Sequence, residues 1–255
     1  MEHNSSRADE KLFTKLARKC GVTLRDHEMI GEGDHVLAGL SGGKDSMILL
    51  KILAERRRAM PFSFRLTAAH ILVPAAGYVT DTGYLEDFCR DLDIPLIIRE
   101  TEVDLERDPN KTPCFVCSWH RRKLLFDLTR ELNCNKLALG HHREDALETY
   151  LMNMMFHGSI SSLPYTLKMF EGRVTLIRPL LDISEALLGE YSELSGLVRP
   201  LKNCPHENNT RRMQVRRILK NMEEIYPQST HNLFRSADHI YDEYLPLKKG
   251  RNKTP

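Results

Sequence analysis

The chain has 255 residues, of which 41% are hydrophobic and 28% charged, and its 37 basic and 35 acidic side chains leave a formal net charge of +2. This is the composition of a soluble globular protein with a full core, and the small net charge does not by itself indicate a nucleic-acid partner. No apolar run approaches a membrane span, and the first residues lack the charged-then-apolar order of a signal peptide. We therefore expect a cytoplasmic protein with no membrane partner.

Apolar periodicity predicts an α/β protein that begins with an amphipathic helix over residues 7–24. Five apolar runs are predicted strands, at residues 35–40, 66–73, 94–99, 136–139 and 174–177. Helices are predicted after the first strand, at 81–92, directly after Cys117, at 144–156, and then at 184–194, 210–225 and 229–244. This alternation is typical of a doubly wound parallel sheet, so we expect five parallel strands with an N-terminal helix and a C-terminal helical extension.

The same order divides the chain into four segments. They are an N-terminal helix and lead-in (1–34), an α/β domain (35–183), a basic helical segment (184–245) and a disordered basic tail (246–255). Ligands of such sheets bind at the carboxyl ends of the strands, and three motifs of the chain lie there.

The first motif is a glycine-rich loop between the first strand and the next helix, Ser41-Gly42-Gly43-Lys44-Asp45-Ser46. Two glycines let the backbone pass close to a ligand, and the start of the helix offers unpaired N–H groups that bind phosphate. The serines add hydroxyl groups, the lysine adds a cation, and the aspartate can hold Mg²⁺. The spacing differs from that of the Walker loop.

The second motif follows the fourth strand, where Gly140-His141-His142 precedes Asp145 at a predicted helix start. These groups can contact a ribose, a base or Mg²⁺. The alternative is structural, with a histidine that caps the helix and an aspartate that complements its dipole.

The third motif is Cys114-x-x-Cys117, with Cys204 far downstream. This spacing suits two metal-ligating thiolates on one loop. Three functional readings stay open: a [4Fe–4S] cluster with one open iron, a structural zinc with His206 or His120 as fourth ligand, and a redox or persulfide pair. The structural alternative is two unrelated cysteines at a helix start. The other cysteines, Cys20, Cys89 and Cys134, are predicted to be buried small hydrophobic residues.

Two groups of basic residues complete the candidates. Arg121 lies one helical turn beyond Cys117, where a guanidinium can hold a phosphate; the alternative is a surface arginine. The stretch from 199 to 220 is rich in basic residues and can track a phosphate backbone; the alternative is a solvated helix face. Its candidate residues are Arg211, Arg212, Arg216 and Arg217, and the resemblance given below implies that they bind RNA.

Taken together, these motifs resemble the TtcA-type tRNA 2-thiocytidine synthetases of the PP-loop ATP pyrophosphatase superfamily. The resemblance spans residues of about 12 to 217. Besides the motifs above, it includes residues 29–34 before the glycine-rich loop and the sequence Ile177-Arg178-Pro179-Leu180.

The resemblance implies an enzyme that uses ATP to adenylate C2 of a tRNA cytidine, which sulfide held on a [4Fe–4S] cluster then attacks. It implies ATP binding by the glycine-rich loop with Gly140 and His141, catalytic roles for Asp45, Asp145 and Arg121, and cluster ligation by Cys114, Cys117 and Cys204. It also implies Mg²⁺ beside ATP, a sulfur donor such as a cysteine desulfurase, and a homodimer.

The chain departs from the family pattern at the downstream cysteine. The family commonly has a second C-x-x-C there, whereas this chain reads Cys204-Pro205-His206-Glu207. The alternative reading is therefore a PP-loop adenylating enzyme that acts on another acceptor and holds structural zinc.

Overall fold

The protein is described by a computed structural model that covers residues 2–77, 81–105, 112–197 and 211–246. Within these ranges six strands form one sheet. The strands are β1 (His35–Gly39), β2 (Arg65–Leu72), β3 (Leu96–Glu100), β4 (Lys136–Ala138), β5 (Thr166–Met169) and β6 (Val174–Ile177). The helices are α1 (Glu2–Asp26), α2 (Lys44–Ala59), α3 (Thr82–Asp91), α4 (Pro113–Glu131), α5 (Arg143–His157), α6 (Glu185–Leu194), α7 (Arg211–Ile225) and α8 (Ser229–Ser236).

The sheet has the order β3-β2-β1-β4-β6-β5. All neighbouring pairs are parallel except β5 and β6, which are antiparallel. The chain builds outward from β1 through β2 and β3 on one side, and then returns to place β4 on the other side of β1. The reversal between β1 and β4 is a topological switch point, where α/β sheets bind their ligands.

Both faces of the sheet are covered, because alternate residues of each strand point to opposite sides. Val36 and Ala38 of β1 face a core that includes Leu16 of α1 and Leu49 of α2. Leu37 faces a second core, formed largely with α4. The sheet is therefore doubly wound, as the sequence predicts.

Helices α7 and α8 pack on α5 through a smaller apolar cluster. Val215 and Leu219 of α7 meet Leu147 of α5, and Leu233 and Phe234 of α8 lie against them. The C-terminal helices thus attach to the helix that begins directly after β4. The boundaries of the four predicted segments stay a prediction.

Three details differ from the sequence prediction. A sixth strand, β5, pairs antiparallel with β6 at the sheet edge. Helix α8 ends at Ser236 rather than continuing to 244. Cys114 and Cys117 lie within the first two turns of α4 and not on a loop before it. Among the described residues, the structure contains no helix long and apolar enough to cross a membrane.

Candidate nucleotide and metal site

The glycine-rich loop forms a tight turn between β1 and α2. Gly42 has a φ of +78°, which a residue with a side chain rarely adopts. The hydroxyl of Ser46 accepts the backbone N–H of Ser41 at 3.1 Å and donates to the carbonyl of Gly43 at 2.9 Å, which ties the two ends of the loop together. No described side chain caps α2 at Gly43, so its first N–H groups are placed to bind an anion.

Lys44 is held beside this anion site by two carboxylates. Its Nζ lies 3.0 Å from Oδ1 of Asp45 and 3.3 Å from Oε1 of Glu185, and its side chain is only 11% exposed. An amine enclosed this way is already positioned and needs little reordering to bind phosphate. A triphosphate that enters the loop competes with the two carboxylates for the same ammonium group.

The turn after β4 contacts the start of α2 directly. A Cβ added at Gly140 would lie 3.1 Å from the carbonyl carbon and oxygen of Asp45 and from the Cα of Ser46. These are backbone atoms, which cannot rotate away as a side-chain end does. Gly140 therefore brings the two loops of the switch point into contact.

His141 follows this contact and is half-buried. Burial disfavours its imidazolium form, and the charges of Arg178, Arg212 and Arg122 add to this effect, which outweighs the attraction of Asp145 and lowers the pKa of His141 to about 4. Its Nδ1 atom is buried and has no hydrogen-bond partner among the described residues. A neutral imidazole with an unused ring nitrogen is suited to hydrogen-bond a bound ligand.

His142 and Asp145 build the start of α5 instead. Asp145 accepts the backbone N–H of His142 at 3.0 Å, as in a capping box. Burial lowers the pKa of His142, but its hydrogen bond to Glu144 at 3.0 Å and the charge of Asp145 more than compensate, so this pKa is raised. Of the two histidines, His142 occupies the N-cap position and His141 faces the cleft.

A cleft of about 250 Å³ opens between these loops and α4. Its lining residues are Gly39, Ser41, Asp45, Ser46, Ser118, Arg121, Arg122, Leu125, Leu139, Gly140 and His141. A smaller cavity of about 100 Å³ adjoins it over the ends of β1 and β2, next to His70 and Ile71. The structure thus brings the loop serines, Asp45, Arg121, Gly140 and His141 of the predicted site together around one cleft.

The first two turns of α4 carry two of the three candidate metal ligands. Cys114 and Cys117 are half-buried and lie three positions apart on a helix, a spacing that puts Cβ atoms about 5–6 Å apart. Cys204, together with His206 and Glu207, lies outside the described residues, and the described ranges hold no group of three metal-ligating side chains.

The other three cysteines are buried in the cores, as predicted. Burial raises the pKa of Cys20 to about 12 and those of Cys89 and Cys134 to about 11. Such thiols stay protonated at neutral pH and are poor metal ligands.

The basic helix α7 has a structural role that the sequence analysis missed. Glu148 of α5 is fully buried; Arg212 Nε contacts it at 3.1 Å, and Arg216 is also hydrogen-bonded to it. Arg212 also lies 3.6 Å from Asp145. Arg211 lies 4.8 Å over the ring of Phe156. RNA binding by α7 stays a prediction, but Arg212 and Arg216 hold α7 on α5.

The fold and the cleft together define a nucleotide-binding protein of the PP-loop class. A family model described as PP-loop domain matches residues 11–222, which is most of the chain, and the chain belongs to that family. The PP-loop part of the predicted resemblance is therefore confirmed.

Curated relatives narrow the class. The chain is 35% identical over 242 residues to tRNA-cytidine(32) 2-sulfurtransferase of Polynucleobacter asymbioticus, covering 93% of this chain and 80% of the relative. It is 34% identical over 240 residues to the protein of the same name in Pelobacter propionicus, covering 92% and 88%. The chain belongs to the family of the tRNA-cytidine(32) 2-sulfurtransferases, which are transferases.

The fold is also similar to that of a solved tRNA-modifying enzyme. The U34-tRNA thiolase NcsA from Methanococcus maripaludis, which was solved with its [4Fe–4S] cluster, superposes with a TM-score of 0.74. It is 26% identical, and the match covers 96% of this chain and 86% of NcsA.

Proposed function

We propose that this enzyme replaces the C2 oxygen of a cytidine in the tRNA anticodon loop by sulfur, at the expense of ATP. The observation that carries the proposal is the meeting of three elements at one cleft: the phosphate loop, the half-buried neutral His141, and helix α4, which also carries Cys114 and Cys117. Relatives over most of the chain are named for this reaction.

ATP would bind with its phosphates on the loop from Ser41 to Ser46. The first N–H groups of α2 and the ammonium of Lys44 would stabilise the charge on departing pyrophosphate. Asp45 borders the same cleft, where its carboxylate would hold Mg²⁺. When bound there, Mg²⁺ neutralises phosphate charge.

The chemistry requires a change of leaving group. The C2 oxygen of cytidine is a poor leaving group, so it first attacks the α-phosphorus of ATP and displaces pyrophosphate. Sulfide then forms a bond to C2, the C2–O bond breaks, and AMP leaves with the former base oxygen. Arg121, which lines the cleft, would hold the phosphate of AMP, because a guanidinium binds planar or tetrahedral oxyanions through several donors. Asp145, in the first turn of α5, would have a catalytic role near ATP and its metal ion.

Cys114 and Cys117 have the donor chemistry of a [4Fe–4S] site. Both are thiols near the start of α4, the helix that lines the cleft with Ser118 and Arg121, and Cys204 would supply the third ligand. When bound by three protein thiolates, such a cluster supplies an open iron to hold sulfide. A sulfur donor such as a cysteine desulfurase, and assembly as a homodimer, complete the proposal.

The cytidine must leave its stack to reach this cleft. Anticodon-loop bases are single-stranded and can be splayed into a pocket. Arg217 and the other exposed basic side chains of α7 would contact the phosphate backbone of the tRNA.

An anaerobic reconstitution tests the proposal. Purified protein, ATP, Mg²⁺, sulfide and an unmodified tRNA transcript are expected to yield 2-thiocytidine together with pyrophosphate, and the protein is expected to contain iron. Cys114→Ser is expected to abolish thiolation, whereas Cys134→Ser, which alters a buried thiol in the core, retains it. Stoichiometric zinc in a colourless protein that releases pyrophosphate without thiolation would contradict the proposal and favour another acceptor.

A further inference from the structure

Helix α4 exposes two large aromatic side chains beside the cleft. Phe115 is 52% exposed and Trp119 is 50% exposed. They are four residues apart and therefore neighbours on one face of the helix. Aromatic rings of this size are usually buried, so this exposed pair calls for an explanation in terms of a partner.

The pair continues directly into the wall of the cleft. Ser118 and Arg122, which flank Trp119 on the helix, both line the cleft. A nucleotide whose base enters the cleft would therefore have its chain neighbours over Phe115 and Trp119. The aromatic surface is thus contiguous with the proposed binding site.

The charge around the pair is positive. Lys123 Nζ lies 5.7 Å from the centroid of the Trp119 ring. Arg121 and Arg122 lie between these two residues in the sequence. Residues 113–126 contain no acidic side chain. Planar aromatic faces between cations are the combination that binds single-stranded nucleic acid, with bases stacked on the rings and phosphates beside the cations.

We propose that Phe115 and Trp119 form a stacking surface for the unpaired tRNA bases that flank the target cytidine, with Lys123 and Arg122 on the adjacent phosphates. This inference rests on the proposed function and adds the residues that would hold the loop open. Stacking to either side of an extruded base replaces the stacking that the loop loses, which keeps the target nucleotide in the cleft.

A second copy of this chain could also cover an aromatic surface. The three adjacent cations Arg121, Arg122 and Lys123, with no acidic side chain between residues 113 and 126, argue against it, because two copies related by a two-fold axis would bring like charges together at this face. The same charge attracts an RNA backbone.

Trp119 is the only tryptophan of the chain, so its fluorescence reports on this surface alone. Titration of the anaerobically purified full-length protein with an anticodon stem-loop RNA is expected to quench Trp119 emission. A fully paired RNA of equal length, whose bases are already stacked, is expected to quench it much less. Without RNA, acrylamide is expected to reach Trp119 freely.

Variants then measure the contribution of each ring. Phe115→Ala and Trp119→Ala are each expected to weaken stem-loop binding by about tenfold to a hundredfold, with ATP affinity unchanged. Phe170→Ala is the matched control, because Phe170 is also 52% exposed but precedes β6 at the opposite, amino-terminal edge of the sheet. It is expected to bind the stem-loop as the unaltered protein does. Circular dichroism of each variant checks the fold.

The outcomes separate this inference from the proposed function. If the protein forms 2-thiocytidine but the stem-loop leaves Trp119 emission unchanged and both variants bind normally, the stacking surface is refuted and the function stands. If quenching and the loss of affinity occur without any thiolation, the function fails and the surface stands. If the variants instead lose self-association at unchanged RNA affinity, or if Trp119 is shielded from acrylamide without RNA, the surface is already occupied and the inference is wrong.

Discussion

The contact at Gly140 makes a direct prediction about the phosphate loop. In Gly140→Ala the new methyl group would lie 3.1 Å from three backbone atoms of Asp45 and Ser46. This separation is a few tenths of an ångström below ordinary van der Waals contact, so either the turn after β4 or the first turn of α2 must move. Overpacking of this kind costs about 1–3 kcal/mol.

Both stability and ATP affinity are expected to fall. At about 2–4 °C per kcal/mol for a chain of this size, the melting temperature is expected to drop by about 2–12 °C. Because the first turn of α2 carries the N–H groups of the anion site, ATP is also expected to bind less tightly. Differential scanning calorimetry and isothermal titration with ATP measure the two effects.

Gly189→Ala is the matched control. Gly189 lies inside α6, and a Cβ there would meet nothing within 4 Å. Alanine in a helix is more favourable than glycine by about 0.5–1 kcal/mol, so this variant is expected to melt slightly higher and to bind ATP normally. If Gly140→Ala matched the unaltered protein in both melting temperature and ATP affinity, the close approach of the two loops would be refuted.

Three further predictions address single side chains. Asp45→Asn is expected to abolish RNA-dependent pyrophosphate release while near-ultraviolet circular dichroism stays unchanged; retained release would remove Asp45 from the mechanism. Arg216→Ala leaves the buried Glu148 with one partner fewer and is expected to destabilise the protein by about 1.5–3 kcal/mol, whereas the exposed Arg217→Ala stays within about 0.5 kcal/mol in urea denaturation. The folded protein raises the pKa of His142. Protonated His142 therefore contributes to the free energy of unfolding below the unfolded pKa of about 6.5, and this contribution is lost as the pH rises through the folded pKa. The stability gap between the unaltered protein and His142→Gln should therefore be larger at low than at high pH, and a pH-independent gap would argue against that charge.

The parallel sheet and its phosphate loop could be predicted because their signals are local. Each buried strand appears as an apolar run, and the loop from Ser41 to Ser46 is contiguous in sequence. The edge strand β5 was missed because its residues are mostly exposed and it is defined by its pairing with β6, which the sequence does not display.

The dipeptide Thr112-Pro113 is a local sequence signal for the start of α4. Thr112 caps the helix through its hydroxyl, which accepts the N–H of Phe115, and Pro113 occupies a favoured first position. The dipeptide therefore predicts a helix that includes both cysteines of the C-x-x-C motif. Two ligands on a helix have a fixed spacing, which a loop would not give them.

The anchoring of α7 could not be predicted from sequence. Glu148 and Arg216 are 68 residues apart, and a glutamate within an amphipathic helix usually faces solvent. In the structure Glu148 is buried and pairs with Arg212 and Arg216. The sequence analysis had predicted that these two arginines bind RNA. Only the packing of Val215 and Leu219 on α5 brings the three together.

The central claim is that this chain thiolates a tRNA cytidine at the cleft between the phosphate loop and α4. The most direct measurement is mass spectrometry of nucleosides from the tRNA of cells that lack their own 2-thiocytidine enzyme and express this chain. We predict 2-thiocytidine with the unaltered chain and with Cys134→Ser, and none with Cys114→Ser. The account would be contradicted if 2-thiocytidine were absent although the expressed protein is folded, contains iron and binds ATP.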